Sequence, residues 1–144
     1  MITPEQDEFL KSHVLAVLAT GRRDGSPQIS TNNYSYDGEY IYFSVTTART
    51  KWLNALRQPR VALTINDGRK QLVVYGSAEG VTDGPARLQL FRRHSAFTRA
   101  NGATLPGNRP MPVPAEDNAE YTRQLDEAGR VLLRIKPEKV FKND

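Results

Sequence analysis

Four Asp-Gly dipeptides, at Asp24-Gly25, Asp37-Gly38, Asp67-Gly68 and Asp83-Gly84, punctuate this chain. Both residues tolerate positive φ, so the pair suits tight turns, and the first three are expected to close β-hairpins. Residues 14–20, 27–36, 40–46, 61–66 and 71–81, which these turns separate, are rich in β-branched or aromatic side chains and read as strands. The result is an antiparallel meander. Residues 14–19 (VLAVLA) are apolar without alternation, which predicts a central strand buried on both faces of a closed sheet. Gly76 and Gly80 interrupt the fifth run, where bulges would let it bend round a barrel corner.

Helices are predicted at 4–12 after the N-cap candidate Thr3, at 48–58 before Pro59, at 85–97 opening with proline, and at 116–128 before Gly129. Residues 130–141 form a sixth strand, with Val131, Leu133 and Ile135 alternating against Leu132, Arg134 and Lys136 until Pro137. Residues 101–115 hold four prolines and no period; a lid over a site and a disordered insertion both fit them.

The 144 residues suit one domain spanning 1–144, and Leu, Ile, Val and Phe occupy 33 positions, enough to fold but a small core. Domains of this size often bury further surface between subunits. No apolar run reaches the roughly 18 residues of a membrane span, and the acidic start lacks secretion-signal character, so a soluble, cytoplasmic protein with no membrane partner is expected. Without cysteine, and with only His13 and His94, thiol chemistry is excluded and a metal site is not expected.

The net charge of +4 says little, but its distribution says more. Residues 40–66 carry Arg49, Lys51, Arg57 and Arg60 with no acid, and 84–115 carry Arg87, Arg92, Arg93, Arg99 and Arg109, again with none. Surfaces normally mix signs, so these stretches point to anion binding. Arg49 and Lys51 fall in the first turn of the second helix. A helix start already carries about half a positive charge and free N–H groups, so two cations there are unfavourable without an anion. With the hydroxyls of Thr46, Thr47 and Thr50, they suit a phosphate. Trp52, Leu53 and Leu56 are expected to fasten the turn to the barrel. No glycine-rich phosphate loop or dinucleotide fingerprint is present.

Residues 28–36 (QISTNNYSY) are polar on both alternating faces although hairpin neighbours should make this an interior strand. Unpartnered buried amides and hydroxyls cost about 1 to 3 kcal/mol each, so a hydrogen-bonding ligand or a wet cleft beside the strand is expected. Other constellations carry less. Ser30 and His13 with an aspartate lack a nucleophile elbow, and His94 beside Arg92 and Arg93 suits a helix surface. Tyr34, Tyr36, Tyr40, Tyr42 and Phe43 could stack bases in an OB-like barrel, but such sets more often pack across strands, and nucleic acid is not an expected partner.

Three segments together resemble the split β-barrel flavin and deazaflavin oxidoreductases related to pyridoxamine 5'-phosphate oxidase. They are residues 14–20 followed by 24–30 (DGSPQIS), residues 48–51 (ARTK) leading through Asn54-Ala55-Leu56 to 59–63 (PRVAL), and residues 130–137 (RVLLRIKP) with Val140 and Phe141. The resemblance implies a mainly β fold with flanking helices, a six-stranded antiparallel FMN-binding split barrel. It also implies a homodimer with cofactors in grooves between subunits. By position, Arg49, Thr50 and Lys51 would hold the cofactor phosphate. Gln28, Ser30 and Asn32 would face its ring or ribityl chain, and Ser44, Val45, Thr46 and Thr47 would line the approach. Asn54 would support the turn, and Tyr75 and Gly76 would reach the ring across the dimer. The Arg-Leu-x-Pro type ending that binds substrate phosphate in true pyridoxamine phosphate oxidases is missing. The subgroup it looks most like uses the deazaflavin coenzyme F420 and passes hydride to a conjugated small molecule, the alternatives being an FMN-dependent oxidase or reductase of the same fold and a non-catalytic flavin or deazaflavin carrier; the acidic tail of F420 could meet Arg87, Arg92, Arg93 and Arg99. No side chain is assigned a catalytic role, because in such enzymes the cofactor carries the hydride chemistry.

Overall fold

The computed structural model describes residues 2–143. Thr3 caps α1 (Pro4–Lys11) in a reciprocal capping box with Gln6. Three Asp-Gly turns then close hairpins. β1 (Leu15–Gly21) turns through Gly25 into β2 (Pro27–Asn33), β3 (Ser35–Tyr36) through Gly38 into β4 (Ile41–Thr46), and β5 (Arg60–Asp67) through Gly68 into β6 (Lys70–Val81). All three glycines have positive φ. The fourth Asp-Gly instead starts a helix: Asp83 is the N-cap of α3 (Gly84–Ala100). Between β4 and β5 lies α2 (Thr50–Arg57); after α3 come the two-residue strands β7 (Thr104–Leu105) and β8 (Arg109–Pro110), then α4 (Asn118–Glu127) and β9 (Arg130–Asn143).

The seven main strands form one antiparallel sheet in the order β2-β1-β5-β6-β9-β4-β3. Its two edge strands, β2 and β3, are consecutive in the chain and joined by Tyr34 alone, so the chain itself crosses the opening and the sheet curls into a split barrel. The predicted second strand is therefore two, broken where Tyr34 buries its ring and donates from its hydroxyl to Leu10 O at 2.7 Å. This corrects the expectation of an interior position for 28–36. β2 pairs only with β1 because the chain leaves at Tyr34 to pair with β4, and an edge strand tolerates polar side chains.

Inside the barrel, Leu18, Phe43, Val45, Ile65, Leu72 and Leu133 pack with Trp52 and Ala55 of α2. A second cluster, Tyr42, Phe91, Tyr121, Leu125 and Leu132, lies beneath α3 and α4. β4 and β9 are both buried on their two faces: Phe43 and Leu133 lie in the first cluster, Tyr42 and Leu132 in the second. β1 is not: Ala16, Leu18 and Thr20 are buried, while Leu15 is 55% exposed.

Gly76 sits at a bulge where the β6–β9 register shifts, and it faces Pro137, so β9 continues past its proline to Asn143. Gly80 serves another purpose. A Cβ there would lie 2.5 Å from the Trp52 ring, so the glycine lets α2 press against β6. The face α2 buries is Trp52, Asn54 and Ala55; Leu53 and Leu56, expected to help fasten it, are more than half exposed. No helix among the described residues is long and apolar enough to cross a membrane.

Candidate functional site

The turn from β4 into α2 concentrates positive charge without a counter-charge. Arg49 N–H donates to Thr46 O at 3.1 Å and places Arg49 at the N-cap, extended, with no side-chain cap and no acid in the first helical turn. Lys51 is half-buried, and its Nζ donates to Asn32 Oδ1. Strand register brings a third cation: Thr46 pairs with Arg130, and Thr47 N–H donates to Gly129 O at 3.1 Å. Burial, and then Arg49 and Arg130, depress the pKa of the Lys51 ammonium below the ordinary lysine value. Among the described residues no carboxylate pairs with any of the three, whereas Lys11, Arg87, Arg123 and Arg134 each have one. Free helix N–H groups, threonine hydroxyls and uncompensated cations form a site suited to a phosphate-bearing ligand. Arg130 was not singled out in the sequence, because only the β4–β9 register reveals its position.

Beside the turn, Gln28, Ser30 and Asn32 line up on the half-buried face of β2, and Ile29 and Thr31 occupy its exposed face. Asn32 Nδ2 donates to the Ser30 hydroxyl at 3.0 Å, and Thr20 donates to Gln28 Oε1 at 3.1 Å. Buried Asn54 donates to Thr20 Oγ1 at 3.2 Å and accepts from Arg57 at 3.1 Å, tying α2 to β1. Ser44 lines a cavity beneath α3. Thr46 is half-buried, and Thr47 and Thr50 are exposed at the turn. Val45 points into the core, which leaves only its main chain for a ligand. Tyr75 and Gly76 stand apart. They line an open cleft of about 950 Å³ that also includes Thr20, Gln58 and Lys139 but not Arg49, Lys51 or Arg130.

Two of the α3 arginines are committed to structure, contrary to the expectation that they meet an anionic tail. Arg87 is buried, ion-paired to Asp126 at 2.7 Å and bonded to Arg130 O at 2.7 Å. Arg92 donates to Ala115 O, Glu116 O and Asn118 Oδ1 and stacks on Tyr121 at 4.8 Å. Arg99 bonds Ser95, and Arg93 is exposed. For Arg87 and Arg92 the missing local acids are made good by an acid and carbonyls supplied from 115–130. Residues 101–115 are built around the β7–β8 hairpin, and Leu105 and Met111 to Pro114 line the cavity beneath α3, as a lid would.

The fold is a curled, mainly β split barrel with uncompensated cations gathered at a strand-to-helix turn. The family description "Pyridoxamine 5'-phosphate oxidase" matches residues 2–144, and the chain belongs to that family. Among solved structures it is similar to an F420 reductase, with 27% identity, 96% of this chain and 98% of that one covered, and a TM-score of 0.67. It is also similar in fold to a conserved hypothetical protein from Mycobacterium tuberculosis (24% identity, 100% and 85% covered, TM-score 0.72). A FAD-binding protein from Mesorhizobium loti shares the fold as well (20% identity, 96% and 89% covered, TM-score 0.67).

Proposed function

We propose that the chain is a homodimeric oxidoreductase that binds a deazaflavin of the F420 type and passes hydride from it to a conjugated small-molecule acceptor. The observation that carries this reading is the acid-free cluster of Arg49, Lys51 and Arg130 at an uncapped helix start. Arg49, Thr50 and Lys51 would hold the cofactor phosphate, Gln28, Ser30 and Asn32 its polar chain, and Asn54 the turn itself. When bound, the cofactor supplies the hydride; the protein binds, orients and excludes water. The likeness to an F420 reductase supports the deazaflavin over FMN, whose phosphate would suit the same turn.

The outer face of the sheet supports the homodimer. Ile29, Ala19, Ala62 and Tyr75 form one cross-strand row, and Thr31, Val17, Thr64, Val73 and Phe141 the next. Ile29, Tyr75 and Phe141 are each about half or more exposed, and a contiguous apolar face of this kind suits a partner. A second copy seated there would cover the outer face of β1 and explain its unbroken apolar run. It would also bring Tyr75 and Gly76 to the partner's cofactor.

Trp52, the single tryptophan, adjoins Lys51 and reports on the site. Titrating the purified protein with oxidised F420 and with FMN, followed by quenching of Trp52, tests the proposal. Tighter F420 binding is expected. Equal or tighter FMN binding replaces the cofactor, and binding of neither overturns the function. Oxidation of the reduced cofactor by added 1,4-naphthoquinone, absent without protein, separates an enzyme from a carrier.

A further inference from the structure

A second cavity, of about 360 Å³, lies between α3, α4, residues 101–115 and the sheet. That volume is within the range of small-molecule sites. Phe91, Met111, Tyr121 and Leu125 form an apolar wall, and the polar lining comprises Asn32, Asn33, Ser44, Ser95, Thr98 and Gln124 with His94 and Arg130.

His94 is 7% exposed, and its Nδ1 lies 2.6 Å from the hydroxyl of Ser35, itself buried. Among the described residues the hydroxyl has no other partner. If Nδ1 carried the proton, the serine's own hydrogen would be stranded, so Ser35 donates to Nδ1 and the ring proton sits on Nε2. Nε2 has no protein partner either, yet the sole sealed, unpartnered side-chain atom among the described residues is Arg87 Nε. Nε2 is therefore open, and with His94 lining the cavity it opens there. Burial, and then Arg130, lower the His94 pKa to about 4, so the ring is a neutral donor at neutral pH.

We propose that this cavity takes a flat, conjugated carbonyl compound, the electron acceptor of the reaction proposed above, and that His94 Nε2–H donates to its carbonyl oxygen. The ligand's role as acceptor rests on that function; the cavity's chemistry does not. The aromatic walls cover the ring, and Arg130 favours an oxygen with partial negative charge. Asn32 joins the two sites, since it accepts from Lys51 and also lines the cavity.

The probe is 1,4-naphthoquinone, which cannot arylate a thiol in a chain without cysteine. Imidazole ¹H–¹⁵N correlation spectra are simple with two histidines, and His13→Gln assigns them. In the cofactor-free protein we expect the Nε2–H tautomer at His94 and a naphthoquinone-dependent shift of Nε2. His94→Leu weakens binding about 10-fold, and His94→Gln, which keeps an N–H near that position, restores most of it. An Nδ1–H tautomer overturns the proposal, as does a His94 signal unmoved by naphthoquinone. Saturating F420 or FMN leaves naphthoquinone bound; mutual displacement overturns the assignment, because the cavity would then hold the cofactor. If neither cofactor binds while naphthoquinone still shifts Nε2, the proposed function falls and the carbonyl site stands.

Discussion

Lys51→Met keeps the length of the side chain and removes its charge. With a phosphate at the turn, the substitution deletes a charge-assisted hydrogen bond worth about 1.5 to 3 kcal/mol, or about 10- to 150-fold in dissociation constant. The apo protein responds differently. It loses the bond from its ammonium to Asn32, about 1.5 to 3 kcal/mol for a charged donor, and gains relief from the helix dipole, about 0.3 to 1 kcal/mol, with further relief from burial and from Arg49 and Arg130. These partly offset, so the apo melting temperature should fall by less than about 8 °C. An ion pair of Lys51 with Asp67 or Glu79 is not an alternative, since Asp67 meets His13 and Glu79 meets Arg134. The sign of the pKa shift adds a check: a bound phosphate raises the depressed Lys51 pKa, so binding takes up protons on the alkaline side and affinity falls there as pH rises. Trp52 quenching, scanning calorimetry and titration in two buffers of different ionisation enthalpy measure all three. A melting temperature lowered by more than about 8 °C with unchanged cofactor affinity would refute the assignment.

Gly80→Ala forces a Cβ against Trp52, so stability should fall by about 1 to 3 kcal/mol in denaturant titrations and cofactor affinity should fall with it as α2 shifts. Ile29→Glu and Tyr75→Glu should each yield a lighter species than wild type in sedimentation velocity at micromolar protein; a wild type that sediments only as the 16.2 kDa chain removes the dimer. Arg92→Ala frees the junction between the lid and α4, and hydrogen exchange should rise across 101–117 and not in the barrel. His94 is neutral in the fold but takes a proton near 6.5 when unfolded, so its contribution is complete above that pH and lost as pH falls toward about 4. Wild type should lose up to about 3 kcal/mol more than His94→Gln across that window, measured by urea titration.

Much of the architecture was legible in local chemistry. The Asp-Gly turns marked the three hairpins because positive φ is a property of the turn residues themselves. Arg49 and Lys51 could be singled out because the conflict between a cation and a helix start is also local. The polarity of residues 28–36 was legible too, but Asn32 itself was named through the family resemblance, and its bond to Lys51 could not be read from sequence. Arg130 and His94 were missed in these roles. One looked like the first residue of a strand and the other like a helix surface residue, and neither carries a local signal of its neighbours.

The sequence by itself determined where the chain turns, which runs extend, and that uncompensated charge gathers between β4 and α2. Only the tertiary structure decided which strands are buried twice, where the edges of the sheet meet and which arginines remain free. The unbroken apolar run fell on β1, but the strands covered on both sides were β4 and β9, because coverage depends on where α3 and α4 dock. Arg87 and Arg92 looked like Arg49 in sequence, acid-free on both sides, yet they are neutralised or capped by groups from 115–130. Charge compensation acts through space over a few ångströms, whereas the chain separates these partners by about 23 to 43 positions, and only the fold brings them together.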